Sequence, residues 1–110
     1  MSNERGAMTE FDITVAVTIG GRVDDDALAD MACDALTAVE AMAPAIAGPV
    51  FSVSLVDAVI RCSASTDCDS AAIATARASE LASVLEATCP GARITRVAAE
   101  VAPDEVAAAA

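Results

Sequence analysis

The sequence predicts an α+β domain of order βαββαβ, a four-stranded antiparallel sheet with two helices on one face. Apolar residues alternate with a period of two over 11–19, within 50–65 and over 95–101. They recur at steps of three and four over 28–42 and 73–85, and glycine or proline marks most junctions between these stretches.

Phe11, Ile13, Val15, Val17 and Ile19 alternate with Asp12, Thr14, Ala16 and Thr18, which marks a strand with one buried face, and Gly20-Gly21 ends it. Asp24, Asp25 and Asp26 follow, where a helix N-terminus favours caps and negative charge. Leu28, Met31, Ala35, Val39 and Met42 form one apolar stripe. Pro44 closes it, because the residue before a proline avoids the α region. Gly48-Pro49 is the expected turn into the next strand.

Between 50 and 65, Phe51, Val53 and Leu55 share one face, while Ile60, Cys62 and Ala64 share one. A change from odd to even positions cannot belong to one uninterrupted strand facing one core. Two antiparallel strands with a tight turn near Val56-Asp57 account for it, although the turn lacks the usual Gly or Asn. One long bulged strand is the alternative.

Thr66-Asp67-Cys68-Asp69 offers a second helix cap, and Ile73, Ala76, Leu81, Val84 and Leu85 give a second stripe, closed by Pro90-Gly91. Thr95, Val97, Ala99 and Val101 form the last strand, stopped by Pro103. Residues 10–102 therefore read as a single domain. Residues 1–9 read as a flexible extension in which Met8 opens a second plausible start, and 103–110 as a frayed tail. Two βαβ halves without a residue-level repeat most simply build the ferredoxin-like arrangement.

A chain of 110 residues buries roughly two thirds of its unfolded surface as one domain. Hydrophobic residues make up 55%, but about a quarter of the chain is alanine, and Phe11 and Phe51 are the only aromatics. The core is then built from few and small side chains, and the helix propensity of alanine shares in the stability.

There is no His, Lys, Trp or Tyr, Asn3 is the only Asn, and the net charge is −11. Chemistry near neutral pH leans on the first of these, so an enzyme is not expected; carboxylates alone would supply acid and base. The acidic balance opposes unassisted binding to nucleic acid or an anionic membrane. No basic segment leads into an apolar stretch at the start, and no run reaches the length that crosses a membrane, so a cytoplasmic location is expected.

The helix-free face of such a sheet presents Thr14, Thr18, Ser52, Ser54, Arg61, Ser63, Ser65 and Arg96. Hydroxyls where an RNA-recognition motif needs stacking aromatics exclude that activity. A metal-chaperone module carries CxxC where this chain has Gly20-Gly21-Arg22. Acylphosphatases need a catalytic Asn, dimeric monooxygenases of this fold lean on His, Trp or Asn, and PII-type signal proteins need a long loop between the middle strands. Here His and Trp are absent, the one Asn is Asn3 ahead of the first strand, and only two or three residues are left between the middle strands. Ligand sensing, oligomerisation and protein binding remain.

Gly20-Gly21 stands where ACT-type amino-acid sensors hold their ligand, and is the candidate ligand loop. Adjacent glycines before a helix are also ordinary turn chemistry. Cys33, Cys62, Cys68 and Cys89 match no zinc spacing. Cys68 and Cys89 lie at opposite ends of one expected helix, about 30 Å apart, so no metal or other cofactor is expected. Cys62 reads as a small apolar filler of the core. Asp67 and Asp69 oppose a reactive thiolate at Cys68.

Asp26, Asp30 and Asp34 stack on one helix flank beneath Asp24 and Asp25. Like charges at this spacing cost a few tenths of a kcal/mol per pair. These five form either a solvated face or a candidate partner surface for a basic protein.

The stretch 11–101 resembles small ferredoxin-like modules of actinobacteria and their phages. The resemblance rests on the strand FDITVAVTI, the acidic D-x-x-L-D/A helix start at Asp25–Asp30 and the A-x-E-V strand at Ala98–Val101. Some such modules continue into a helix-turn-helix, which implies a regulatory or partner-binding role. Here only 102–110 follow, so DNA binding is not carried over. The expected function is a non-enzymatic interaction module that forms a homodimer or binds a basic partner, with small-ligand sensing as the alternative.

Overall fold

A computed structural model describes residues 8–21 and 23–102; the expected tail 103–110 and residues 1–7 of the expected 1–9 extension lie outside the described residues, while Thr9 of that extension already belongs to the first strand. The order is β1 (Thr9–Ile19), α1 (Asp25–Glu40), β2 (Ala47–Ser54), β3 (Val59–Cys68), α2 (Ala71–Thr88) and β4 (Ala92–Val101). The strands form one antiparallel sheet of order β2-β3-β1-β4, so the fold is ferredoxin-like, with β2 and β4 at the edges.

The core forms between the helices and the inward face of the central strands. Ile13, Val15 and Val17 of β1 are fully buried, as are Ile60 and Cys62 of β3. Leu28, Ala35 and Val39 of α1 and Leu81 and Leu85 of α2 close over them, so the α1 stripe faces the core as its spacing requires. At about 25 cal/mol per Å² of apolar surface, these aliphatic side chains supply most of the burial energy. Asp24 caps α1, its carboxylate accepting from the Ala27 N–H at 2.8 Å.

Residues 50–65 form the hairpin and not the single bulged strand. The connection spans 55–58, with Ala58 at φ 55° in place of the absent glycine. Leu55 leaves β2 and is half exposed there, so it does not share the inward face of Phe51 and Val53. Gly48-Pro49 is not the turn into β2 but lies within the strand, where the register slips by one residue between Ala47 and Val50. An edge strand tolerates proline at such a bulge, and Gly48 supplies the φ of +61°.

Two further expectations shift. Ser70, not the 66–69 segment, caps α2, accepting from the Ile73 N–H at 3.2 Å, while Thr66, Asp67 and Cys68 complete β3. The buried stripe of α2 is Ala74, Ala78, Leu81, Ala82 and Leu85; Ile73 and Ala76 point to solvent. Small alanines on the buried side let the helix lie close to the sheet, and their burial outweighs that of one isoleucine at the helix start. In β4, Thr95 is the extra residue of a bulge, since Ala16 pairs Arg96 and Val17 pairs Ile94. Ile94 therefore joins Ala99 against the core, and Thr95 turns its hydroxyl to the Ala16 carbonyl at 3.2 Å.

Candidate functional site

The helix-free face of the sheet is where the chain presents its most ordered set of polar side chains. Inward residues of β1 alternate with Glu10, Asp12, Thr14, Ala16 and Thr18, and the register carries those rows across the sheet. Asp12 stands between Ser65 and Glu100, Thr14 between Ser63 and Ala98, Ala16 between Arg61 and Arg96, and Thr18 between Val59 and Arg93. On β2, Val50, Ser52 and Ser54 extend the rows of Ser63, Arg61 and Val59. All eight residues expected on this face are there.

Ala16 is only 3% exposed although it faces away from the helices. Arg61 and Arg96 flank it in register, and their aliphatic stems are long enough to cover a methyl group while the guanidinium heads stay in water. Arg61, Arg93 and Arg96 are exposed and make no ion pair or side-chain hydrogen bond among the described residues. Arg77 behaves differently. It donates to the Thr66 hydroxyl at 2.6 Å and the Asp67 carbonyl at 2.9 Å, a structural tie between α2 and β3.

Two open crevices mark the face. One, of about 290 Å³, is lined by Ser52, Ser54, Asp57 and Arg61 beside the hairpin. The other, of about 380 Å³, is lined by Glu10, Asp12, Thr14, Val50 and Ser63 at the opposite end.

The other two candidate surfaces lie along α1 and at the turn that precedes it. Asp24, Asp25, Asp26, Asp30 and Asp34 are all exposed along α1, a flank away from the core. The Gly20 N–H donates to the Gly91 carbonyl at 3.0 Å, and a Cβ at Gly20 would make only an ordinary contact with that oxygen, at 3.6 Å. Gly21, at φ +80°, turns the chain towards α1. The positive φ accounts for glycine at 21 by turn chemistry.

All four cysteines are free thiols. Burial pushes the Cys62 thiol up to about 12, and burial first, then Asp34, raises that of Cys89. Cys68 is the last residue of β3, buried, with its Sγ donating to the Ser70 carbonyl at 3.3 Å. Among the described residues, no three His, Cys, Asp or Glu side chains gather in a way that could hold a metal ion. Nor is any helix among them long and apolar enough to cross a membrane.

The register of β4 was the part of this site that sequence reasoning missed. It placed Arg96 on the face but not Arg93, Glu10, Asp12, Asp67 or Glu100. The alternation around Ile13 and Cys62 carried the signal for Glu10, Asp12 and Asp67; a bulge at Thr95 has no marker in the sequence.

No family model matches the chain, and no curated protein matches it. A solved structure described as an unknown protein from Galdieria sulphuraria is similar over 88% of this chain and 46% of its own, at 15% identity and a TM-score of 0.38. The chain thus spans about half the length of that structure.

Proposed function

We propose that the chain is a non-enzymatic interaction module that works by self-association, with the helix-free sheet face as its contact surface. The observation that carries this reading is the pair Arg61 and Arg96, in register on either side of the buried Ala16 and without an ion-pair or side-chain hydrogen-bond partner among the described residues. Small hydroxyls around them, at Thr14, Thr18, Ser52 and Ser63, leave the face flat enough for another flat surface to approach.

Face contact is favoured over edge contact. Both edge strands carry a bulge, β2 with Pro49 beside it and β4 with Arg93 and Arg96 around it, and such features blunt strand pairing between molecules. Free thiols, three of them buried, suit the reducing cytoplasm. Sedimentation at physiological salt tests the reading: dimers are expected within the micromolar range, and a monomer throughout that range overturns it.

A further inference from the structure

The charges on the sheet face are sorted by sign, and the sorting runs against the chain's own pairing. Glu10 stands directly opposite Asp67 across β1 and β3, and Asp12 directly opposite Glu100 across β1 and β4. At the other end Arg61 and Arg96 flank Ala16, and Arg93 stands opposite Thr18. Like charges facing each other on neighbouring strands are destabilising, whereas opposite charges are favourable. A face that served only as a solvated surface would gain by interleaving the signs. Here the carboxylates on the strands are exposed at one end and the three arginines at the other, with Asp57 of the hairpin turn beside Arg61 as the exception, and the row between them, Ala98, Thr14, Ser63 and Val50, carries no charge.

We propose that a second copy of this chain covers the face in an antiparallel two-fold arrangement, which deepens the self-association reading and rests on it. The two-fold axis lies between the sheets and crosses the strands at the Thr14 row. Such an axis turns every strand back over its own counterpart, so the carboxylate end of each copy lies on the arginine end of the other. On β4, Glu100 and Arg96 are equally far from Ala98, so Glu100 of each copy meets Arg96 of the second copy, and this contact forms twice. On β3, Arg61 and Ser65 are equally far from Ser63, which brings Arg61 over Ser65 of the second copy with its Asp12 alongside.

Stacked sheets pack with their strands within about 30° of each other, which the strand-over-strand arrangement satisfies. Four strands of this length present about 600 Å² per copy, below the roughly 800 Å² per partner of a typical stable complex. With so little area the dimer depends on its charge pairs. Salt alone does not test it, because screening weakens those pairs and also the repulsion between two chains of net charge −11.

Charge complementation tests it. Sedimentation is run on wild type, on Arg96→Glu, on Glu100→Arg and on an equimolar mixture of the two variants. Each variant alone places like charges at both copies of the contact and is expected to dimerise at least ten-fold more weakly. The mixture places opposite charges at both and is expected to regain a heterodimer near wild-type strength, which also shows that both variants are folded. If wild type dimerises and the variants do so equally well, or the mixture regains nothing, this arrangement is wrong while self-association stands. A monomeric wild type removes both.

Discussion

Arg77 donates through Nη1 to the Thr66 hydroxyl at 2.6 Å, and Thr66 donates onward to the Ala45 carbonyl at 2.7 Å. Thr66 is the one buried polar side chain on the inward face among the described residues, so this relay satisfies the hydroxyl where water cannot reach. It joins α2, β3 and the segment after α1. Thr66→Val keeps the shape but strands the Ala45 carbonyl and a guanidinium N–H, and is expected to cost about 1–3 kcal/mol. Thr66→Ser retains the hydroxyl and is expected to cost less. Urea unfolding midpoints of the two variants check the order.

The buried face of α2 is tested by one residue inserted on each side. Ala78 is fully buried and Ala76 is exposed. Ala78→Leu forces a larger side chain between helix and sheet and is expected to cost about 1–3 kcal/mol. Ala76→Leu, at a position where the apolar spacing suggests core, is expected to change stability by less than about 0.5 kcal/mol. Equal losses for both would place the helix rotation elsewhere.

Thiol reactivity follows burial. Cys33 is exposed, whereas Cys62, Cys68 and Cys89 are buried. An aromatic disulfide reagent on the native protein is expected to titrate one thiol promptly, and all four in denaturant. Prompt reaction of more than one in the native state would contradict the packing around β3 and α2.

Alkaline stability isolates the same thiols. With no Lys and no Tyr in the chain, cysteines are the only side chains that titrate between about pH 9 and 12. The folded pKa of Cys62 lies near 12 against an ordinary 9.0, and that of Cys89 is also raised. A raised folded value means full stability below pH 9 and a loss as the unfolded thiol ionises first, by at most about 1.4 kcal/mol per pH unit for Cys62 and in the same direction for Cys89. Urea unfolding between pH 8 and 11 is expected to show this decline, and Cys62→Ala to reduce its slope whatever that variant costs at neutral pH. An unchanged slope would mean that Cys62 ionises alike in both states.

On α1, Asp30 sits one turn from Asp26 and from Asp34, all exposed. Asp30→Arg converts two repulsive pairs into attractive ones and is expected to raise stability by about 0.5–1 kcal/mol at low salt. Thermal unfolding at low and high salt checks this, since screening should remove most of the gain.

How much of this was legible beforehand depended on the contrast between neighbouring side chains. In β1 each Ile or Val is flanked by Asp or Thr, so the buried face, the strand and its exposed partner residues followed from alternation alone. The α1 stripe was equally plain because Leu28 and Met31 stand among aspartates and Val39 stands beside Glu40. In α2 the contrast vanishes: alanine is apolar enough for the core and small enough for the surface, so Ala74, Ala78 and Ala82 could not be told from Ala76.

By itself, then, the sequence determined the order of elements, the ferredoxin-like topology and the α1 face, because strong local polarity patterns leave one way to bury the larger aliphatic side chains. Tertiary structure alone decided which alanines line the core, where Ile46 and Thr66 enter it, and how Gly48-Pro49 and Thr95 fit into strands. It also decided the sorting of charge on the open face. That property depends on register between strands far apart in sequence, as Asp12 and Glu100 are at a separation of 88 residues, and no local pattern encodes which residue of one strand stands opposite which residue of another.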